Sequence, residues 1–322
     1  MKTLLGNILS FAAFFSCAFG LLVWLNASFL ATDHYNNEFT VKGNLIRQTP
    51  SPKVVFVGGS NVAFGIDSQT ISDSIGLPVI NAGLLAGMGL RYTMDRYESY
   101  FKRGDVLILM PEYDHFYGDV TYGNPETAGY LPYLSDFAPS LLNLKQWNVV
   151  VTGFFKTTLQ ISVKGLYYKL LHSFRKEGNV FEYKMSGFNR LGDEVSHRSL
   201  PPNINNTGAY TVSGKFNVGY ARHLFNQVRR LQHHGVQVIW LPPVTSRANV
   251  ALNRKQITLI IERMKTAGFT YAARPDSLAY PDSLLYNTVY HLNKQGVEVN
   301  TQRVVRILRH CLGVNRKRIA NK

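Results

Sequence analysis

Cysteine is scarce in this chain. Only Cys17 and Cys311 occur among 322 residues, the first inside a long apolar segment and the second near the C-terminal end, so we do not expect them to pair. This excludes a disulfide framework of the kind that stabilises small secreted domains. The chain does not require one, because 45% of its residues are hydrophobic and its length allows a substantial buried core.

Charge is absent from the N-terminal segment. No charged residue occurs from Leu4 to Leu30, a run longer than the roughly 20 apolar residues that span a bilayer core. Only Lys2 and the terminal amine precede this run and Asp33 follows it, so the positive-inside rule places the N-terminus in the cytoplasm. We therefore expect residues 1–31 to form a single-pass membrane anchor, with the following domain in the periplasm or the extracellular space.

A cleaved signal peptide and a lipoprotein leader are the alternatives for this segment. Signal peptides usually have a shorter apolar core of about 7–15 residues, and no A-x-A site follows the apolar run here. A lipoprotein would use Cys17, but Phe14-Phe15-Ser16 before it fits a lipobox poorly. The sequence therefore favours the uncleaved anchor.

Acidic residues are outnumbered. The chain has 20 Asp and Glu against 35 Lys and Arg, which gives a net charge of +15. This balance suits anionic lipid headgroups or acidic glycans, and an ordinary solvated basic surface is the alternative. Basic residues punctuate an acid-free, aromatic-rich stretch between Asp136 and Glu177. Nucleic acid is not expected as a partner, because the domain is predicted to lie outside the cytoplasm.

The rest of the chain divides into a linker, one domain and a basic tail. Residues 32–52 are polar and end in Thr49-Pro50-Ser51-Pro52, which predicts a linker. The domain covers residues 53–312, with an insertion at about 117–215 that is rich in Tyr, Gly, Asn and Pro. The basic tail covers residues 313–322.

Short apolar runs alternate with helix-length segments in the domain. Strands are predicted at Val54–Val57, Pro78–Asn81, Asp105–Met110, Val236–Leu241 and near Phe269–Ala272. Helices are predicted at 67–76, 89–102, around 140–175, 216–234, 251–267, and from after His291 to about Cys311. This alternation is typical of an α/β fold with a mostly parallel sheet covered on both faces.

Several residues with chemical potential follow the predicted strands. Ser60, Gly83 and Glu112 come after the first three strands, and Pro243 follows the fourth. In parallel sheets ligands bind beyond the carboxyl ends of the strands. We therefore expect these residues to meet on one rim.

Ser60 stands at a glycine corner, Gly58-Gly59-Ser60-Asn61, directly after the first strand. The corner is either an anion-binding turn at a helix start or a site that presents a nucleophile. A nucleophilic serine needs a base and donors for the developing oxyanion. His291, before the last helix, is the candidate base, and the backbone N–H groups of Ser60 and Gly83 are candidate donors.

Three blocks in this order resemble the SGNH/GDSL hydrolase superfamily. Gly58-Gly59-Ser60-Asn61 is similar to the first block, with glycine where the family usually has Asp at the second position. Asn81-Ala82-Gly83 is similar to the second block and Tyr290-His291-Leu292-Asn293 to the last. The resemblance covers about 53–116 and 216–310, and is greatest to exported, membrane-anchored SGNH-like proteins linked to acyl transfer on cell-surface polymers.

The resemblance implies a fold and a set of roles. The fold would be a flavodoxin-like three-layer αβα sandwich. Ser60 would be the nucleophile, His291 the base and Gly83 an oxyanion donor.

The chain departs from the family pattern in two places. The third block usually supplies an asparagine to the oxyanion hole, whereas Glu112 follows the third strand here, and Asn61 is the candidate substitute. The last block usually has an aspartate three residues before its histidine, and that residue here is Thr288. Asn287 beside it, or Asp282 upstream, would then orient the histidine.

Other acidic and polar residues surround these positions. Glu112 and Asp114 are expected to line the pocket or to bond loop backbone, and with His115 and His291 they form an alternative metal cluster. We expect no metal and no cofactor. Segment 188–193 of the insertion either reaches over the site or only caps its own turn.

The resemblance and the predicted location imply an exported, membrane-anchored ester hydrolase or O-acyltransferase. Its substrate would be an acylated cell-envelope glycan, attacked by the Ser60–His291 pair. The alternative is a catalytically inactive relative that binds glycan or scaffolds an envelope complex through the same rim. The two departures from the family pattern favour this alternative.

Overall fold

The computed structural model describes residues 2–30, 33–171, 183–202 and 208–313. The predicted basic tail, apart from Gly313, lies outside these residues. The strands are β1 (Val54–Gly58), β2 (Val79–Asn81), β3 (Val106–Met110), β4 (Gln237–Trp240), β5 (Thr245–Ser246) and β6 (Ala279–Tyr280). The first four form one parallel sheet in the order β2-β1-β3-β4, and β5 and β6 form a separate parallel pair.

Helices connect and cover these strands. They are α1 (Lys2–Leu30), α2 (Glu38–Gln48), α3 (Ser60–Ala63), α4 (Ser68–Ile75), α5 (Leu90–Tyr97), α6 (Pro125–Ala128), α7 (Leu144–Leu171), α8 (Val218–His233), α9 (Arg247–Leu252), α10 (Arg254–Thr266) and α11 (Lys294–Cys311). The prediction of an α/β fold with a parallel sheet is confirmed.

The two central strands are apolar because helices cover both faces of the sheet. Every residue of β1 and β3 is buried, and the strands pair from Val54–Val106 to Gly58–Met110. Val55 and Val57 pack in a core with residues of α2, α5 and α8. Val54 and Phe56 pack in a second core with residues of α4 and α11.

Local capping explains where the helices beside the site begin and end. The Asp67 side chain accepts a hydrogen bond from the Thr70 backbone N–H at the start of α4, and Gly76 ends that helix with φ of 73°. This left-handed conformation is accessible to glycine without strain. At α11 the Asn293 side chain accepts from Gly296 N–H, which places His291 on the loop just before the helix.

The segment expected to be a linker contains α2, and this helix is part of the core. Phe39 and Ile46 are fully buried beneath the sheet. Lys42, on the same face, is also buried. The polar composition of residues 32–52 hid this helix, because one of its buried positions is a lysine.

Two other predicted elements differ in the structure. The short strand near Phe269–Ala272 is reduced to one parallel β-bridge between Trp240 and Tyr271. The helix predicted at 251–267 is interrupted at Asn253, which separates α9 from α10. The Asn253 side chain accepts a hydrogen bond from Val212 N–H and donates to Tyr210 O, so the break ties the end of the predicted insertion to the domain.

The predicted insertion contributes a segment to the edge of the sheet. Leu191 O accepts a hydrogen bond from Asn81 N–H beside β2, at 2.8 Å. Asp193 accepts from Asn81 Nδ2 and from the backbone and hydroxyl of Ser68. Asp193 also binds Asn189 of its own turn. Segment 188–193 therefore closes its own turn and packs under the loop that follows β2.

Helix α1 is long and apolar enough to cross a membrane over Thr3–Ser28. A signal sequence passes the same test of length and composition. Residues 3–17 of α1 are exposed, whereas Asn26 and Leu30 are buried against the domain.

Candidate active site

Ser60 is positioned by a corner that only small residues can form. β1 ends at Gly58, and Ser60 begins α3. A Cβ on Gly58 would come within 2.5 Å of the Met110 carbonyl oxygen, and one on Gly59 would come within 2.3 Å of Glu112 Oε1. The two glycines therefore allow the end of β3 and the Glu112 side chain to approach the serine closely.

Glu112 is the nearest polar partner of the serine. Its Oε1 accepts hydrogen bonds from Ser60 Oγ at 3.3 Å and from Asn61 N–H at 3.2 Å. Burial raises the pKa of Glu112 to about 7, and the Asp114 charge adds to this effect. Glu112 is therefore mostly protonated below neutral pH, and its carboxyl lies against Ser60 and Asn61 at the corner.

The other predicted oxyanion donors have internal partners. Asn61 Oδ1 accepts from Gly59 N–H at 3.0 Å, and Asn61 Nδ2 donates to Met110 O at 3.1 Å. Gly83 N–H donates to Asn81 Oδ1 at 3.1 Å. These side chains hold the corner and the neighbouring loop in shape, so the role expected for Asn61 would require it to leave two backbone partners.

His291 is held as a neutral imidazole. Its ring stacks on Phe64 with 3.9 Å between centroids, and its Nδ1 lies 2.7 Å from Asn287 Oδ1. Since an amide oxygen only accepts, Nδ1 carries the proton and Nε2 is the basic nitrogen. Burial, with a smaller contribution from His197, lowers the pKa of His291 to about 3.

Ser60 and His291 line the same pocket. Its volume is about 430 Å³, and its wall includes Gly87, Asn124 and Tyr290. This is within the usual size range of small-molecule sites, roughly 300–1,000 Å³. The structure thus brings the predicted nucleophile and the predicted base to one cavity at the carboxyl ends of β1 and β3.

The remaining predicted residues have different places. Asp114 Oδ2 accepts from Tyr210 Oη at 2.7 Å and from Tyr290 Oη at 3.2 Å, so it fixes two tyrosines of the pocket wall. Asp282 is exposed and begins a separate helical turn. Asn287, rather than Asp282, contacts the histidine.

No group of three or more His, Cys, Asp and Glu side chains in the described part of the chain is arranged to hold a metal ion. The alternative cluster of Glu112, Asp114, His115 and His291 therefore does not form a metal centre there. His115 is buried instead, and burial lowers its pKa to about 4.

No family model, curated protein or solved structure matches this chain.

Sequence reasoning missed a second histidine close to the site. His197 Nε2 lies 2.9 Å from the Leu292 carbonyl oxygen, and its Nδ1 is hydrogen-bonded to Glu194. Its ring centroid lies 4.9 Å from that of Phe64, on which His291 also stacks. No motif marks His197, because it lies in the predicted insertion and reaches the site only through the fold.

Lys42 was also missed, and it holds the Asn81-Ala82-Gly83 loop. Its Nζ donates to the carbonyl oxygens of Asn81, Gly83 and Gly192. Burial lowers its pKa to about 8, opposed by the charge of Glu38. Lys42 therefore ties α2, the Asn81-Ala82-Gly83 loop and the predicted insertion together behind the pocket.

Proposed function

We propose that this chain is an exported, membrane-anchored serine enzyme of SGNH type. It would act as an ester hydrolase or O-acyltransferase on acylated cell-envelope glycan. The observation that carries the proposal is that Ser60 and His291 line one pocket while Asn287 holds the histidine with Nε2 as its basic nitrogen.

The sheet supports the proposed fold. The strand order β2-β1-β3-β4 equals that of the first four strands of a flavodoxin-like sheet, 2-1-3-4-5. Helices on both faces agree with a three-layer αβα sandwich carrying a long insertion after β3. Likeness of fold does not specify chemistry, which depends on the side chains of the pocket.

The proposed reaction begins with proton transfer. Ser60 Oγ, which donates to Glu112 Oε1 in the structure, first turns its proton towards His291. His291 Nε2 takes this proton as the oxygen attacks an ester carbonyl, forming a tetrahedral intermediate. The intermediate collapses to an acyl-enzyme when the histidine returns this proton to the leaving alcohol. Water or a sugar hydroxyl then repeats the sequence in reverse. His291 is neutral across the physiological pH range, so Nε2 is free to accept the proton. Its pKa of about 3 makes it a weak base, however, and the proposed reaction requires this pKa to rise when substrate fills the pocket.

Glu112 takes the place of the usual oxyanion asparagine in this proposal. An ionised carboxylate would repel the oxyanion, but a carboxylic acid donates a hydrogen bond to it, as other buried acids do. The raised pKa of about 7 favours the acid form at neutral pH and below. We therefore expect activity to decline above about pH 7, as Glu112 ionises.

The anchor is proposed to remain on the mature protein. Asn26 Nδ2 donates to Thr158 O at 2.7 Å, and Leu30 O accepts from Asn37 Nδ2 at 2.7 Å. Removal of α1 would leave the Thr158 carbonyl without this donor. These contacts favour an uncleaved span over a signal peptide, with the pocket on the non-cytoplasmic side.

The experiment is labelling of the full-length protein, in detergent, with a fluorophosphonate probe. Wild type should be labelled, and Ser60→Ala and His291→Ala should not. Ser199→Ala, at an exposed serine outside the pocket, is the matched control and should label like wild type. Glu112→Gln keeps a neutral donor and should retain labelling with a flatter pH profile. Failure of the folded wild type to label would refute the enzyme assignment.

A second candidate is a non-catalytic protein that binds envelope glycan at the same rim. The position of Glu112 favours this candidate. The Glu112 carboxyl accepts hydrogen bonds from both Ser60 Oγ and Asn61 N–H, and a substrate would otherwise use these two donors. This candidate predicts glycan binding that Ser60→Ala leaves unchanged and no probe labelling of wild type.

A further inference from the structure

Helix α7 presents an apolar face that the described part of the chain leaves largely exposed. Its exposed hydrophobic side chains follow one another at helical spacing: Leu144, Trp147, Val151, Phe155, Leu159 and Val163. Leu144 is 88% and Val163 68% exposed. We call this row the α7 stripe. Six large apolar side chains in a continuous row are unusual on a surface that faces only water.

The opposite side of α7 packs against the domain. Gln146, Val150, Gly153, Thr157 and Ile161 are buried. A Cβ on Gly153 would come within 2.3 Å of the Pro125 carbonyl oxygen, and one on Gly129 within 2.4 Å of Gly153 C. The close contact between α6 and α7 therefore fixes how far the stripe projects.

The stripe adjoins the apolar helix α1. Phe19 packs on Phe155 of the stripe with 4.8 Å between ring centroids. Further along, Asn26 donates to Thr158 O at 2.7 Å and accepts from Ser162 Oγ at 3.2 Å. The exposed apolar surface of α1 is thus continuous with that of α7.

The depth of this contact follows from the length of α1. About 20 residues of helix cross a bilayer core, so a span that begins near Leu4 leaves the hydrocarbon near Trp24. Residues 19–26, which contact α7, would lie at the outer boundary of the bilayer. Trp24 on α1 is 65% exposed, and tryptophan is enriched at this boundary.

The charges beside the stripe suit the same boundary. Lys145, Thr152, Lys156 and Gln160 are exposed on the flank of α7. The described part of α7 carries no acidic residue, and the two lysines bind Asp119 and Glu126 of the domain. An apolar face bordered by lysines is typical of a helix that lies in the membrane interface.

We propose that the α7 stripe is a second membrane-contact surface, which inserts into the outer leaflet beside α1. This inference rests on α1 spanning the bilayer, but not on the proposed chemistry of the pocket. Because α6 packs on α7, and Asn124 and Thr127 at the ends of α6 line the pocket, the bilayer would lie behind one pocket wall.

Site-specific fluorescence on the full chain in lipid nanodiscs tests this proposal. Cys17 and Cys311 are the only cysteines, so replacing both by serine gives a cysteine-free background. A single cysteine at Val151 or Leu159 on the stripe, labelled with an NBD fluorophore, is compared with one at Thr152 or Gln160 on the flank. The nanodiscs contain phosphatidylcholine and phosphatidylglycerol, with or without a doxyl-labelled quenching lipid.

We expect doxyl lipid to quench the stripe positions about twofold or more and the flank positions little, because only the stripe would lie among acyl chains. A chain that retains Cys17 alone reports separately on α1 and should be quenched. Quenching at Cys17 with none on the stripe would overturn the proposal while leaving the anchor intact. Stripe positions that are shielded from water in native membranes but not quenched by doxyl lipid in nanodiscs would also overturn the proposal. The face would then be assigned to a protein partner.

Discussion

Replacing Glu112 by glutamine should change how stability depends on pH. Burial raises the pKa of Glu112 from 4.5 to about 7. Between these values the folded chain retains a proton that the unfolded chain has released, so raising the pH through this window destabilises the fold. At about 1.4 kcal/mol per pKa unit, the destabilisation is about 1 kcal/mol at pH 5 and reaches about 3 kcal/mol at pH 8.

Glutamine has nearly the same shape and does not titrate. Any change it makes to packing or hydrogen bonding adds equally at both pH values and cancels in the comparison. The free energy of unfolding of Glu112→Gln relative to wild type should therefore rise by about 2 kcal/mol from pH 5 to pH 8.

Urea unfolding of the full chain in mild detergent measures this difference. Tryptophan fluorescence, to which Trp240 buried in β4 contributes, reports on the core. Asp282→Asn removes an exposed carboxylate and is the matched control, with no change expected between the two pH values. If Glu112→Gln behaves like this control, Glu112 is not a buried acid of raised pKa and its proposed role as a neutral donor fails.

Three further predictions concern the surroundings of the site. Asn287→Ala should slow fluorophosphonate labelling about tenfold or more, because His291 loses the partner that orients it, whereas Asn287→Asp should retain labelling. Lys42→Met should lower the free energy of unfolding in urea by about 3 kcal/mol, since three carbonyl oxygens lose a charged donor. Gly153→Ala should lower the free energy of unfolding by about 2 kcal/mol in the same assay, because the added carbon overlaps α6. Gly208→Ala is the control and should change it little, since nothing lies within 4 Å of the added carbon. Equal effects of the two substitutions would contradict the close contact between α6 and α7.

The strands of the sheet could be predicted because their side chains satisfy a purely local condition. A strand that is buried on both faces must be apolar throughout, as Val54–Gly58 and Val106–Met110 are. The start of α4 was visible for a similar reason, since Asp67 caps it through its own sequence neighbour. The approach of Ser60 and Glu112 at the carboxyl ends of β1 and β3 then follows from the parallel topology.

The contacts that decide the chemistry could not be predicted in this way. The position of the Glu112 side chain beside Ser60 depends on its side-chain conformation and on the absence of a Cβ at Gly59, and neither is a property of one segment. His197 reaches Leu292 across 95 positions of the chain. Helix α2 was hidden because its buried lysine finds three acceptors only in the folded protein.

The bonds from Asn26 to α7 have a mechanical consequence. A domain on a loose tether would turn freely, but with α1 as the proposed anchor, a domain hydrogen-bonded to it near the point of exit would move with it as one body. Its pocket would keep one orientation and one distance from the lipid surface while the molecule diffuses sideways. On the proposed function, a glycan chain would have to bring its acylated sugar down to that level, and modification would be confined to the layer of polymer nearest the membrane.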